Sequence, residues 1–233
     1  MAVLTKRKLR GTGFWLAPGL ESFDPQGLLE ALELPANGQS SVLGGRGCVT
    51  HTEVAGLGRV VIKHYTRGGV LGRFIRHVYF RCGPLRSRVE FDLLDQVRAL
   101  GVNAPEPLAI AVRGMLFYRT WLVIREVPEK QTLADLAQRD EDRAREVMKK
   151  LVAQMEILVR NGIYHIDLHP GNVLVQPDDT IFIIDFDKAC HFRGRINELR
   201  DRYIIRWRRA VIKHALPQSL SEVMSWGLRS IKA

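Results

Sequence analysis

His165-Ile166-Asp167 is followed five positions after the aspartate by Asn172, and Asp185-Phe186-Asp187 comes thirteen positions after that asparagine. An H-x-D-x-x-x-x-N loop ahead of a D-F-D, each joined to a short apolar run, brings together the residue types that phosphoryl transfer uses. Such a reaction leaves little covalent chemistry to the protein, which must orient a hydroxyl nucleophile and hold Mg²⁺ on triphosphate oxygens. On this reading Asp167 orients the acceptor hydroxyl or takes its proton. Asn172 supplies Mg²⁺ with a hard amide oxygen, and Asp185 supplies a carboxylate. A polar turn with Asp167 as a cap and Asp185 ending a strand is the alternative, but it does not account for His, Asp, Asn and the second Asp in this order.

A triphosphate also needs a cation on a rigid strand. Val60-Val61-Ile62-Lys63 is an apolar run ending in the only lysine between Lys8 and Lys130, which makes Lys63 the candidate for the phosphates of ATP. Glu90 is the first acid after it and opens the next expected helix; a Lys63–Glu90 pair would remove the cost of burying the lysine. Upstream, Leu43-Gly44-Gly45-Arg46-Gly47 lies between two expected strands, where a phosphate-covering turn belongs. Gly45 and Gly47 give G-x-G, but Thr50 stands where a third glycine would complete the motif, and an ordinary hairpin would look the same. No G-x-x-x-x-G-K-[ST] occurs, which excludes the P-loop enzymes.

Several elements must position these residues. Asp24-Pro25 is expected to open a short helix through about Leu32. Ser41–Leu43, Cys48–Val54 and Arg59–Tyr65, separated by glycines, predict an antiparallel meander. Leu93, Leu94, Val97 and Leu100 recur at helical spacing over Glu90–Leu100, ahead of Gly101, and Leu108–Val112 and Leu116–Ile124 predict strands. Thr132 with Asp135 is a capping pair. Val147, Met148, Leu151, Val152, Met155, Leu158 and Val159 form the apolar stripe of a long helix ending near Gly162, with the methionines as core filler. Short strands are expected at Val173–Val175 and Ile181–Ile184, and Ile196 onward is expected to be helical with a break at Pro217. A strand-rich portion over residues 1–127 and a helix-rich one over 128–233 predict an α+β fold with two lobes around one cleft.

The chain has 233 residues, 46% hydrophobic and 26% charged, a balance that excludes disordered, collagen-like and coiled-coil classes. Lys and Arg total 35 against 25 Asp and Glu, a formal charge of +10 that favours anionic partners. Between Glu53 and Glu90 there is no acid, while Arg59, Lys63, Arg67, Arg73, Arg76, Arg81, Arg86 and Arg88 fall there. Three widely spaced cysteines, Cys48, Cys82 and Cys190, form no C-x-x-C pair and fit a reduced, intracellular protein. The basic N-terminal residues lead into no apolar signal region, and no run approaches the length of a spanning helix.

These features together resemble the protein-kinase-like superfamily, and within it the bacterial lipopolysaccharide kinases, especially the 3-deoxy-D-manno-octulosonic acid (Kdo) kinases. The resemblance covers roughly Val42 to Arg209. It is carried by the Lys63 strand, Arg86-Ser87-Arg88-Val89-Glu90-Phe91-Asp92-Leu93-Leu94, Val102-Asn103-Ala104-Pro105-Glu106-Pro107, Asp167-Leu168 to Asn172, and above all Ile184-Asp185-Phe186-Asp187-Lys188. It implies a small antiparallel-sheet N-lobe and a reduced helical C-lobe. It also implies ATP- and Mg²⁺-dependent phosphorylation of a sugar hydroxyl on a Kdo-lipid A precursor, at the cytoplasmic face of a Gram-negative inner membrane. Glu126, where the two halves meet, joins Gly45, Gly47, Lys63, Glu90 and Lys188 as an expected nucleotide-site residue. Ile166 stands where protein kinases place the arginine of H-R-D, and His169-Pro170 where they place a lysine. No A-P-E occurs among the 46 residues after Asp187, which disfavours a protein substrate. Lys188 either neutralises charge on the transferred phosphoryl group or makes a plain salt bridge.

The segment Arg67–Arg81 interleaves Arg73, Arg76 and Arg81 with Phe74, Ile75, Val78 and Tyr79, which suits an anionic lipid surface or the phosphates of a lipid A precursor. An insertion packed on the lobe with solvated arginines is the alternative. A second basic run, Arg193 to Lys213, recurs at helical spacing, with Glu198 and Asp201 available to pair with part of it. Nucleic acid is the competing partner, but no zinc-finger, RNP-like or helix-turn-helix pattern accompanies the arginines. Core heptose or another small hydroxyl compound remains an alternative acceptor, and a non-catalytic nucleotide-binding scaffold an alternative of another class. Intact Lys63, Asp167, Asn172 and Asp185 argue against the scaffold.

Overall fold

The computed structural model describes residues 3–34, 48–65, 79–80, 83–115 and 117–231. Gly45, Gly47, the expected strand Ser41–Leu43 and most of the basic insertion lie outside them. The described residues fall into two compact units. One comprises the segments up to Asp95 together with Pro105–Glu126; the other comprises Gln96–Ala104 and the chain from Val127 onward.

Strand alternation builds the first unit. β1 (Thr5–Leu9) and β2 (Thr12–Leu16) form a hairpin, β3 (Cys48–Val54) and β4 (Gly58–His64) a second, and β5 (Tyr79–Phe80), β6 (Pro107–Gly114) and β7 (Phe117–Arg125) complete an antiparallel sheet. Its spatial order is β1-β2-β6-β7-β4-β3, with β5 also paired to β7. The first hairpin was not anticipated from the basic N-terminal residues. Its two-residue turn places Arg10 at φ 44° and Gly11 at φ 77°, the pair of positive angles that matches the twist of the flanking strands. Alternate residues Phe14 and Leu16 point into the core, where they meet Leu28 and Leu29 of α1 (Gln26–Ala31), Val60 and Ile62 of β4, and Trp121 and Val123 of β7.

α2 (Arg86–Ala99) begins four residues before the expected Glu90. The N–H groups of Arg88 and Val89 both donate to Leu85 O, and Ser87 Oγ bonds Thr120 Oγ1 on β7. Residues 86–88 are polar, so the apolar stripe begins only after the first turn. Glu90 therefore lies in the second turn of the helix.

Helix capping and apolar stripes organise the second unit. Thr132 accepts from the N–H of Asp135 while Asp135 accepts from the N–H of Thr132, the expected capping box opening α3 (Leu133–Arg139), worth about 1 kcal/mol. α4 (Glu141–Arg160) follows, capped by Asp140, and its Val147, Met148, Leu151, Met155 and Leu158 are fully buried. α5 (Ile196–Lys213) and α6 (Ser219–Ser230) break around Pro217 as expected. Trp207 of α5 donates its indole N–H to Leu220 O at 3.1 Å. At Gly227 of α6 a β-carbon would lie 2.5 Å from a methyl of Val152, so glycine is what lets α6 approach α4. Short strands β8 (Gln131–Thr132), β10 (Val173–Val175) and β11 (Ile181–Ile183) form one small sheet, and β9 (Ile163–Tyr164) pairs with β12 (Cys190–His191). The chain is α+β, sheet first and helices after, consistent with the kinase-like class that the sequence predicts.

Candidate active site

Lys63 is the penultimate residue of β4, and Glu90 faces it from α2. Lys63 Nζ donates to Glu90 Oε1 at 2.6 Å, and Tyr65 Oη donates to the other carboxylate oxygen. The Glu90 side chain is 2% exposed and that of Lys63 is 17% exposed. A carboxylate this deeply buried needs the lysine as its countercharge, and the tyrosine hydroxyl satisfies its second oxygen. Tyr65 was not singled out in the sequence, although it lies two residues beyond Lys63 and points to the same side of an extended chain. Glu126, by contrast, spends its side chain on the sheet. It accepts from Arg59 Nε at 3.0 Å and bonds His51 Nδ1 at 3.0 Å, while its N–H donates to Arg59 O.

The second group of residues is built on the loop between β9 and β10. His165 is buried and its Nε2 donates to Ile184 O at 2.9 Å, tying the loop to the residue before Asp185. Burial pushes its pKa down, so the ring is neutral and this bond fixes its tautomer. Its ring also packs edge-on against Phe186, 4.7 Å between centroids. His169 Nδ1 accepts from the N–H of Gly171, opening the short 3-10 turn Pro170–Asn172. Its pKa is lowered to about 4, first by burial and then by the nearby Arg206 cation.

Asn172 links the two motifs. Its side-chain amide donates to Asp167 O at 3.0 Å, which leaves the amide oxygen as the atom able to face a cation. Its carbonyl accepts from the N–H of Ile184 at 3.0 Å. Asp185 follows immediately, in the left-handed conformation (φ 67°, ψ 60°), and caps the 3-10 turn Phe186–Lys188 with its side chain exposed. That reversal presents the carboxylate to solvent while Phe186 is buried. Hard oxygen donors on a flexible carboxylate and an amide are the donor set that Mg²⁺ accepts, with phosphate and water completing its shell. The residues present therefore fit the ion.

Asp167 is bracketed by cations. Lys188 Nζ donates to Oδ2 at 2.7 Å, and Arg206 of α5 reaches Oδ1 at 3.2 Å. The hydrogen bond to Asp167 raises the Lys188 pKa. Arg206 appeared in the sequence only as one member of a basic run. The signal available was its place one turn after Tyr203 on the inward face of α5, whose hydroxyl accepts from the N–H of His165 and donates to Ile163 O.

What such an arrangement can do is hold a carboxylate ready for a hydroxyl, beside oxygen ligands for a metal. The proteins that this chain matches fit that chemistry. It is 35% identical over 182 residues to a 3-deoxy-D-manno-octulosonic acid kinase of Vibrio vulnificus, covering 75% of this chain and 73% of the relative. Proteins of the same name match from Photobacterium profundum, 31% over 188 residues with 77% of each chain covered, and from Xylella fastidiosa, 30% over 174 residues with 73% and 68% covered. The model of the lipopolysaccharide kinase (Kdo/WaaP) family matches residues 41–219, the span that holds every residue of the site just described. By that match and by relatives shared across about three quarters of its length, the chain belongs to the lipopolysaccharide kinase (Kdo/WaaP) family.

Proposed function

We propose that this kinase transfers the γ-phosphoryl group of ATP to a hydroxyl of Kdo on a lipopolysaccharide precursor, with Mg²⁺. The observation that carries the reading is Asn172, which joins Asp167 to the strand leading into Asp185 and so groups the acceptor-activating carboxylate with the metal ligands. Relatives named as Kdo kinases supply the acceptor. Bound Mg²⁺ would neutralise charge on the phosphate oxygens, held by the Asn172 amide oxygen and the Asp185 carboxylate. Lys63, fixed by Glu90, binds the phosphates. Asp167 orients the acceptor hydroxyl and takes its proton as the new O–P bond forms and the bond to the ADP oxygen breaks. Gly45 and Gly47 cover the phosphates through their backbone, and Glu126 contributes its carbonyl rather than its carboxylate to the nucleotide.

On the same reading the enzyme is a peripheral protein of the cytoplasmic face of the inner membrane. Among the described residues no helix is long and apolar enough to cross a membrane. The outer face of α5 exposes Ile205 and Ile212, two turns apart, among exposed Arg202, Arg208, Arg209 and Lys213, a pattern suited to an anionic lipid surface.

The test is incubation with labelled ATP and a panel of Kdo-lipid A precursor, heptosylated core, an aminoglycoside and a generic protein, followed by mass analysis. A phosphate added to the Kdo residue is the expected product. Transfer to the heptosylated core or aminoglycoside alone would replace the acceptor. Retention on anionic vesicles beside duplex DNA and RNA at matched salt tests the surface, with preference for nucleic acid counting against it.

A further inference from the structure

Ile163 of β9 and His165 and Asp167 of the loop that follows are gripped by one helix. Tyr203 of α5 accepts from the N–H of His165 at 2.7 Å and donates to Ile163 O at 2.8 Å, and its ring meets that of Tyr164 edge-on at 5.3 Å. One turn further along, Arg206 reaches Asp167 Oδ1. Tyr203 is buried, so the grip on Ile163 and His165 is fixed, and Arg206 extends it to the carboxylate that meets the substrate.

The two cations on Asp167 differ in kind. A guanidinium keeps its charge at every accessible pH and has a planar, directed set of donors, whereas an ammonium on a four-carbon stem turns freely. The Arg206 Nε is buried, and no hydrogen-bond partner meets it among the described residues, so the side chain is packed at Nε while its tip reaches Asp167. Lys188 lies on the exposed 3-10 turn that follows Asp185, with a side chain 62% exposed. An acceptor hydroxyl needs one oxygen of Asp167, and the oxygen bonded to Lys188 is the one whose partner can leave.

Resting on the assignment of Asp167 as the acceptor-activating group, we infer that Arg206 is a positioning residue: it fixes the direction of the Asp167 carboxylate through Oδ1 while Lys188 exchanges from Oδ2 to phosphoryl oxygens. Removing Arg206 leaves Asp167 Oδ1 without the directed donor that holds it.

The test compares the intact protein with Arg206→Gln, Arg206→Lys and Asp167→Asn, by initial rates of ATP-dependent phosphorylation of Kdo-lipid A precursor. Arg206→Gln is expected to lower kcat about 10- to 100-fold with the KM for ATP within about twofold, because positioning acts on the transition state and not on nucleotide binding. Arg206→Lys should recover part of the loss. A wild-type kcat in a folded Arg206→Gln, or a loss confined to the KM for ATP, would overturn the inference. An equal loss in Arg206→Lys and Arg206→Gln would do the same. If Asp167→Asn stays active, the reading of the site itself fails; if it is inactive while Arg206→Gln is normal, only the role of Arg206 fails.

Discussion

Glu90 and Asp167 are both carboxylates held by two partners, yet their surroundings are opposite. Glu90 is 2% exposed and is reached by a lysine from a strand of a continuous sheet and by a buried tyrosine. Asp167 is 29% exposed, between a lysine 62% and an arginine 40% exposed. In the interior, an ion pair is costly to assemble and costlier to break, because removing one partner strands a desolvated charge. Near the surface water screens each charge, so a partner can come and go with little effect on folding. The first pair is therefore a fixed support that orients Lys63, and the second is an assembly whose more exposed partner, Lys188, is able to leave during a reaction.

The largest expected effect lies in the second region and concerns turnover. Asp167→Ala should reduce phosphoryl transfer by about 10²–10⁴-fold, the usual range for a positioned general base, with ATP binding largely kept. Asp185→Ala should also abolish transfer, but with Mg²⁺-dependent ATP binding weakened; calorimetry with and without Mg²⁺ separates the two. Full activity in both variants would remove the basis for treating this region as the reacting centre.

Stability should show the reverse order. Glu90→Ala removes the buried acceptor of both Lys63 and Tyr65, with an expected loss of about 3–5 kcal/mol in denaturant unfolding. Lys188→Ala, acting on an exposed pair, should change stability by less than about 1 kcal/mol. If Lys188→Ala unfolds the protein as strongly as Glu90→Ala, the contrast between support and rearranging assembly is wrong. Normal turnover and ATP affinity in Lys188→Ala would reduce that residue to a plain salt bridge.

Acid sensitivity sharpens the contrast further. His169 titrates near 6.5 in the unfolded chain and at about 4 in the folded protein, so between these values the unfolded chain binds more protons. Its contribution is whole above about pH 6.5 and is lost as pH falls toward 4, by up to about 3 kcal/mol, and buried His165 acts in the same direction. Between pH 7 and pH 4.5 the wild type should lose more stability than His169→Gln, as read from unfolding midpoints, if His169 is the source. The smallest effect is that of Lys188, whose raised pKa contributes stability present below its unfolded value of 10.5 and lost as pH rises through the folded one. Screening keeps this loss near the limit of detection, and added salt should erase it.

Local chemistry was legible where it repeats over a few residues. The strands Cys48–Val54 and Val173–Val175 are found with the expected bounds, the Thr132 capping box forms, and both core methionines are buried, because alternation, caps and helical stripes are written within a single element. What remained hidden needed a distant partner. Alternation in Thr12–Leu16 was available, but a hairpin of two five-residue strands becomes a credible part of a sheet only with β6 beside it, and Thr12 and Arg113 are 101 positions apart. Arg206 lies 39 positions from Asp167, so its charge was visible and its target was not. The start of α2 was hidden for a different reason, since its first turn is held by the Leu85 carbonyl and by Thr120 rather than by an apolar stripe.

The hairpin β1–β2 has a consequence for how the protein is made. Its outer strand is one edge of the sheet, and β2 bonds across to β6, so a nascent chain carries both strands for about a hundred residues before the docking strand exists. At roughly 5–20 residues per second that interval lasts about 5–20 s, during which Phe14, Trp15 and Leu16 wait without their partner. Lys6, Arg7 and Lys8 on the neighbouring strand are exposed and repel a second copy, the usual protection of an unpaired edge. The same cations that add to the protein's positive charge would thus guard this hairpin against aggregation on the ribosome.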